Sequence, residues 1–178
     1  YDFFREEIEV LDTASVIIQA DEGIQFTSRV GYTVSYDRRD DPLEPTEGFL
    51  LRADQDFAGL GGDARYVRTV ALSKGWTSFF DEEVISSLEL EAAGINGFSD
   101  DVTFNNRFFL GGSNLRGFAD EGAGPRDQAT NDSLGGKYRF RARLETSFPL
   151  GLPEEFGIFG GAFVDGGTVF GLDNTDNG

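Results

Sequence analysis

The chain has 178 residues, a net charge of −17 and a pI of about 4.2, an acidity that argues against nucleic-acid partners, which require a basic footprint. It has no cysteine and no histidine, which excludes a disulfide framework, thiolate metal sites and Ser-His-Asp or Cys-His catalysis within it. Mean hydropathy is −0.30 and no apolar run approaches the ~18 residues of a membrane helix, but membrane β-strands stay open because their alternation averages out as polar.

Residues 1–11 read as a first strand carrying Phe3, Phe4, Ile8 and Val10. Residues 12–22 read as a polar connection around Val16-Ile17-Ile18. Residues 24–37 alternate most clearly. Ile24, Phe26, Val30, Tyr32, Val34 and Tyr36 share one face, broken by Ser28, and Gln25, Thr27, Arg29, Gly31, Thr33, Ser35 and Asp37 share the other. Strands of soluble domains usually run about 5–6 residues, so a longer alternation with aromatic residues on its apolar face fits a membrane strand. After a connection punctuated by Pro42, Pro45 and Gly48, residues 49–57 alternate again, and Gly59-Leu60-Gly61-Gly62-Asp63 reads as a turn.

Residues 65–79 and 84–95 are the next two predicted strands, separated by an acidic turn at 81–83. Glu89 and Glu91 fall on the polar face of the second. Residues 137–149 segregate most strongly: Tyr138, Phe140, Ala142, Leu144, Thr146 and Phe148 oppose Lys137, Arg139, Arg141, Arg143 and Glu145. A column of cations needs water or carboxylates, and Glu89 and Glu91 on a neighbouring antiparallel strand would supply the latter. A turn at 150–155, a glycine-rich strand at 156–170 and a polar turn at 173–178 complete the pattern. The expected fold is all-β: seven strands in an antiparallel up-and-down meander, with no helix and with short and long connections alternating between its ends.

The connection 98–136 is too long to be an ordinary loop, and loops of that length are functional or disordered. It contains Phe108-Phe109-Leu110, then Gly111-Gly112 as a hinge, then Arg116 between Leu115 and Gly117-Phe118. The residues alone leave two readings: a folded functional loop, or a surface turn with a solvated arginine.

The run from Phe109 to Phe118 resembles the loop motif of the BamA family of outer-membrane β-barrel assembly factors. Gly122-Ala123-Gly124-Pro125-Arg126-Asp127 is similar to the family's next segment, and Leu134-Gly135-Gly136 with Glu145 beyond it to the strand that follows. Phe163-Val164-Asp165-Gly166-Gly167 resembles its aromatic-x-Asp-x-Gly strand, and Tyr36-Asp37-Arg38-Arg39-Asp40 with Pro42, Pro45 and Gly48 its mid-barrel hairpin. The resemblance spans about residues 23–174.

The resemblance implies an outer-membrane barrel of about sixteen strands. Residues 1–178 would be a partial barrel with a long inserted loop at about 98–136, lacking the periplasmic repeat domains and the closing strands. In the family this loop enters the lumen and its arginine meets a carboxylate pair on the wall. Carried over by motif, Leu115, Arg116, Gly117 and Phe118 form the latch, and Glu145 and Asp165 are its wall partners. Parity puts Glu145 on the polar face; Asp165 must share its face with apolar Phe163. Leu115 and Phe118 are expected to pack beside the arginine and exclude water. The implied function is folding and inserting β-barrel proteins into the outer membrane of a Gram-negative bacterium. Its partners would be the lipid bilayer, unfolded outer-membrane clients and accessory assembly lipoproteins, with no cofactor, metal, nucleic acid or enzymatic step. The alternatives are a related transporter for protein secretion or autotransporter assembly, and a passive porin-like barrel.

Overall fold

The computed structural model describes residues 1–80, 83–98, 102–151 and 156–172. Seven strands form one sheet: β1 (Asp2–Ile8), β2 (Gly23–Asp37), β3 (Gly48–Gly62), β4 (Tyr66–Phe79), β5 (Val84–Gly97), β6 (Tyr138–Pro149) and β7 (Phe159–Phe170). Their order in the sheet is their order in the chain, every neighbouring pair is antiparallel, and β1 and β7 are the two edges. The predicted up-and-down meander is therefore the observed fold.

Register makes the alternation two-sided. One cross-strand row reads Val34, Ala53, Ala71, Ala92, Phe140, Thr168, and the row beside it reads Arg52, Leu72, Glu91, Arg141, Gly167. Side chains alternate between faces along a strand, so the first row shares the outer face with Tyr32, Tyr36 and Leu144, while the adjacent row faces the long loop. The outer face inverts the usual order of burial. Val34 is 60% exposed there, whereas the Arg141 side chain on the loop face is 12% exposed. Water would not select such a surface, and a hydrocarbon surrounding does.

Three connections share one end of the sheet: 9–22, 63–65 and 98–137. The first is pinned to the third. The Asp21 carboxylate accepts from the Phe104 amide at 2.6 Å, and beside it Glu6 of β1 accepts from Asn105 at 3.1 Å. Ser15 donates its amide to Asp132 and its hydroxyl to Asp127, both at 2.7 Å. The buried apolar side chains lie where the long loop meets the sheet. One cluster joins Ala58, Tyr66, Ala93, Ile95, Val102 and Phe108, and a second joins Leu110, Leu115 and Val169.

Local structure departs from the sequence reading in several places: β1 ends at Ile8 rather than at 11, and the long connection of a chain read as helix-free contains single 3-10 turns at Phe104–Asn106 and Gly112–Asn114. The tract 59–62, read as a turn, continues β3 to Gly62. Thr27 pairs with Gly62 and Arg29 with Ala58, so β3 carries extra residues in a bulge, accommodated by the positive φ of Gly59 and Gly61. Val16-Ile17-Ile18, read as part of an irregular connection in a helix-free chain, lies in a one-turn helix, α1 (Val16–Gln19), because the Ser15 hydroxyl caps the Ile17 amide. The last strand begins at Phe159 rather than at 156. Of the expected turns, 81–82, 152–155 and 173–178 lie outside the described residues.

Candidate functional site

Strands β6 and β7 pair so that Arg143 faces Asp165 and Glu145 faces Phe163. All four project from the loop face, which settles the orientation of Asp165: it shares that face with Phe163. Gly167 of β7 makes room for the loop. A Cβ at Gly167 would stand 2.9 Å from Leu110 Cδ2 and 2.8 Å from the Phe140 carbonyl oxygen.

The loop descends along this face as a closed excursion. Phe108 pairs with Gly136 and Leu110 with Ala123 in isolated antiparallel bridges, so its two limbs run together. Beyond them the chain turns at Gly111 and Gly112, both at positive φ, and the Gly112 amide donates to the Phe118 and Ala119 carbonyls at 3.1 Å. A Cβ at Gly111 would meet the Ala119 carbonyl oxygen and the Gly122 amide nitrogen, both backbone atoms that cannot swing away, so a residue without Cβ is required there. The excursion at 111–122 presents Arg116 to the wall.

Arg116 binds two carboxylates. Its Nε and Nη2 donate to the two Asp165 oxygens at 2.7 and 2.6 Å, its backbone amide donates to Asp165 Oδ2 at 3.1 Å, and its Nη1 donates to Glu145 Oε1 at 2.6 Å. The fork geometry of guanidinium suits this double engagement, and charge-assisted bonds are the strong ones. The two arms are unequal: the Asp165 side chain is 2% exposed and that of Glu145 40%. The Asp165 contact, and after it Glu145, hold the Arg116 guanidinium further into its charged form, against the effect of burial. Phe163 supplies a platform, with the Arg116 Cζ 3.6 Å from its ring centroid. Leu115 is buried against Leu110 and Val169.

Phe118 is not where it was expected. It is 53% exposed, because Gly117, at φ +88°, turns the chain between the two residues. Phe163 takes the place beside the arginine that Phe118 was assigned. Arg126, exposed on the same loop, donates to the Glu121 and Asn131 carbonyls, closing the turn between them.

A charge ladder continues from the site along the wall. Arg139 meets Glu91 at 2.6 Å, Arg141 bridges Glu89 at 2.8 Å and Glu91 at 3.1 Å, and Lys74 approaches Glu89 at 3.5 Å. Arg143 stands 3.4 Å from Asp165 and donates to the Ser113 carbonyl at 2.9 Å. The glutamates of β5 thus neutralise Arg139 and Arg141 of β6, as their adjacent polar faces predicted, while Arg143 turns to Asp165. Among the described residues no group of three or more acidic side chains stands together as a metal site. The arrangement orders a loop against the wall.

Sequence reasoning brought Arg116, Glu145 and Asp165 forward together. It missed Phe163 as a partner, although parity with Asp165 was the available signal, and it missed Ser15, whose partners are more than a hundred residues away.

A family model for the Omp85 superfamily domain matches residues 3–178. The outer membrane protein assembly factor BamA of Neorickettsia risticii is 34% identical over 173 residues, covering 97% of this chain and 23% of that protein. A sorting and assembly machinery component 50 homolog of Homo sapiens is 27% identical over 158 residues, 85% of this chain and 32% of its own length. The chain thus spans about a quarter to a third of these curated relatives. The crystal structure of BamA from Haemophilus ducreyi lacking POTRA domains 1–3 superposes with a TM-score of 0.74 at 21% identity, covering 83% of this chain and 31% of that one, a likeness of fold.

Proposed function

The chain belongs to the Omp85 superfamily, and on that footing we propose that it is part of the barrel wall, with the in-lumen loop, of a non-enzymatic outer-membrane assembly factor that folds and inserts β-barrel clients. The observation that carries this reading is the anchored loop. A long connection is drawn down the charged face of the sheet and held there by Arg116 on Asp165 and Glu145. A loop fixed in this way braces the wall from inside, while the apolar outer face meets lipid. Its partners are then the outer-membrane bilayer, unfolded barrel clients and accessory assembly lipoproteins, and its setting a Gram-negative outer membrane. Leu115 and Arg116 form the latch, with Gly117 turning Phe118 away from it, Gly111 and Gly112 as the hinge, and Glu145 and Asp165 as wall partners.

The test is reconstitution of the full-length protein in liposomes with an unfolded barrel client. Folding of the client, read as its protease-protected fraction, should depend on the protein and fall in the Arg116→Ala variant. Ion conductance with no client folding would instead identify a passive barrel and remove the reading.

A further inference from the structure

The Arg116 contact holds only the far end of the loop, and a second arrangement holds its near end. Phe108 is 2% exposed. Two guanidinium groups approach its ring, with Arg68 Cζ at 4.9 Å and Arg139 Cζ at 5.1 Å from the centroid. Both lie inside the ~6 Å range in which a ring quadrupole attracts a cation. Arg139 is itself fixed: it binds Glu91 at 2.6 Å and donates to the Phe109 carbonyl at 3.1 Å. The neighbouring Arg107 donates to the Val102 and Leu134 carbonyls at 3.0 and 3.3 Å, tying the two limbs together across the bridge between Phe108 and Gly136. None of these contacts involves Arg116, Glu145 or Asp165.

We propose that Phe108, held by Arg68 of β4 and Arg139 of β6, is a second positioning element that anchors the loop's root independently of the Arg116 latch. The loop is then a fixed root (102–110 and 134–136) bearing a releasable tip (111–122). Gly111 and Gly112 lie at the junction, where positive φ angles already turn the chain. Three strands are cross-braced by one aromatic side chain: β4 through Arg68, β6 through Arg139, and β5 through Glu91 and through Ile95, which belongs to the same buried cluster as Phe108. Release of the tip would leave this brace in place, so the wall keeps its shape while the lumen opens. The proposal rests on the assembly reading only for that consequence, since the anchor itself is measured without any client.

The experiment is amide hydrogen exchange on the full-length protein in lipid nanodiscs. Arg116→Ala should raise exchange at least tenfold in 111–122 while 104–110 and 134–136 stay within about twofold of wild type, the behaviour of separate opening units. Trifluorophenylalanine at position 108 keeps the ring's size but weakens its quadrupole. It should raise exchange at the root by about tenfold, in the range that a desolvated cation–π contact is worth. Phe108→Leu should do the same or more. Equal exposure of root and tip in Arg116→Ala would show one cooperative unit and overturn the proposal. So would root protection that is indifferent to fluorination. Either result would leave client folding by the wild-type protein intact, so failure of this proposal and failure of the assembly reading are separately visible.

Discussion

Removing the Arg116 side chain should release the loop tip by an amount the structure sets. Deleting one partner of a buried ion pair costs roughly 3–5 kcal/mol, and of an exposed pair roughly 0–1 kcal/mol. Asp165, with its side chain 2% exposed, belongs to the first class, and Glu145, at 40%, to the second. The cost is moderated because Arg143, 3.4 Å away, remains beside Asp165 after the substitution. Because the Arg116 side chain is itself 28% exposed, the net effect of Arg116→Ala lies between the two classes and is read as a rise of at least about tenfold in the open population of 111–122. Amide exchange of that segment in the full-length protein measures it, with limited proteolysis as a coarser check. The order of effects is itself a prediction. Asp165→Asn should match or exceed Arg116→Ala, because it leaves two arginines facing a neutral group. Glu145→Gln should stay within about 1 kcal/mol. Exchange in 111–122 unchanged by Arg116→Ala, or Glu145→Gln proving the worst of the three, would refute the reasoning.

Three further expectations follow from other contacts. The chain has no cysteine, so single-cysteine labels are clean: a probe at Phe140 should be quenched by lipid-soluble reagents and one at Arg141 should not, and equal water access at both would contradict the membrane-facing assignment. Gly167→Ala places a Cβ 2.8 Å from the Phe140 carbonyl and 2.9 Å from Leu110, so overpacking should cost about 1–3 kcal/mol in denaturant unfolding, straining the β6–β7 pairing as well as displacing the loop. Asp127 is held below the usual carboxylate range by the Thr130 amide first and then by the Ser15 hydroxyl; a depressed carboxyl stabilises above its unfolded pKa and loses that contribution as pH falls through the folded value, so spin labels at Ala14 and Gln128 should stay close through neutral and mildly acidic pH and separate only below the ordinary carboxylate range, a transition that Asp127→Asn abolishes.

What the sequence determined by itself is the part governed by period. Alternation at two residues is a local property of each strand, so the seven strands, their polar and apolar faces and the meander were legible from the order of residues alone. The pairing of the β6 arginines with Glu89 and Glu91 was legible too, because sequential antiparallel neighbours put those faces side by side. Glycine misled where it bends a strand without ending it: 59–62 has the composition of a turn and is a bulge in β3, a distinction made only by the register with β2. The helix α1 was hidden because its β-branched residues favour extended structure, and its cap, Ser15, is fixed by Asp127 and Asp132 from the far side of the chain. The tertiary structure alone decided how the loop sits. Leu115 goes inward and Phe118 outward, and Phe163 and Phe108 each take a guanidinium over the ring. Such contacts depend on where a long connection lands on a surface built from strands far away in sequence, and no local pattern encodes that distance.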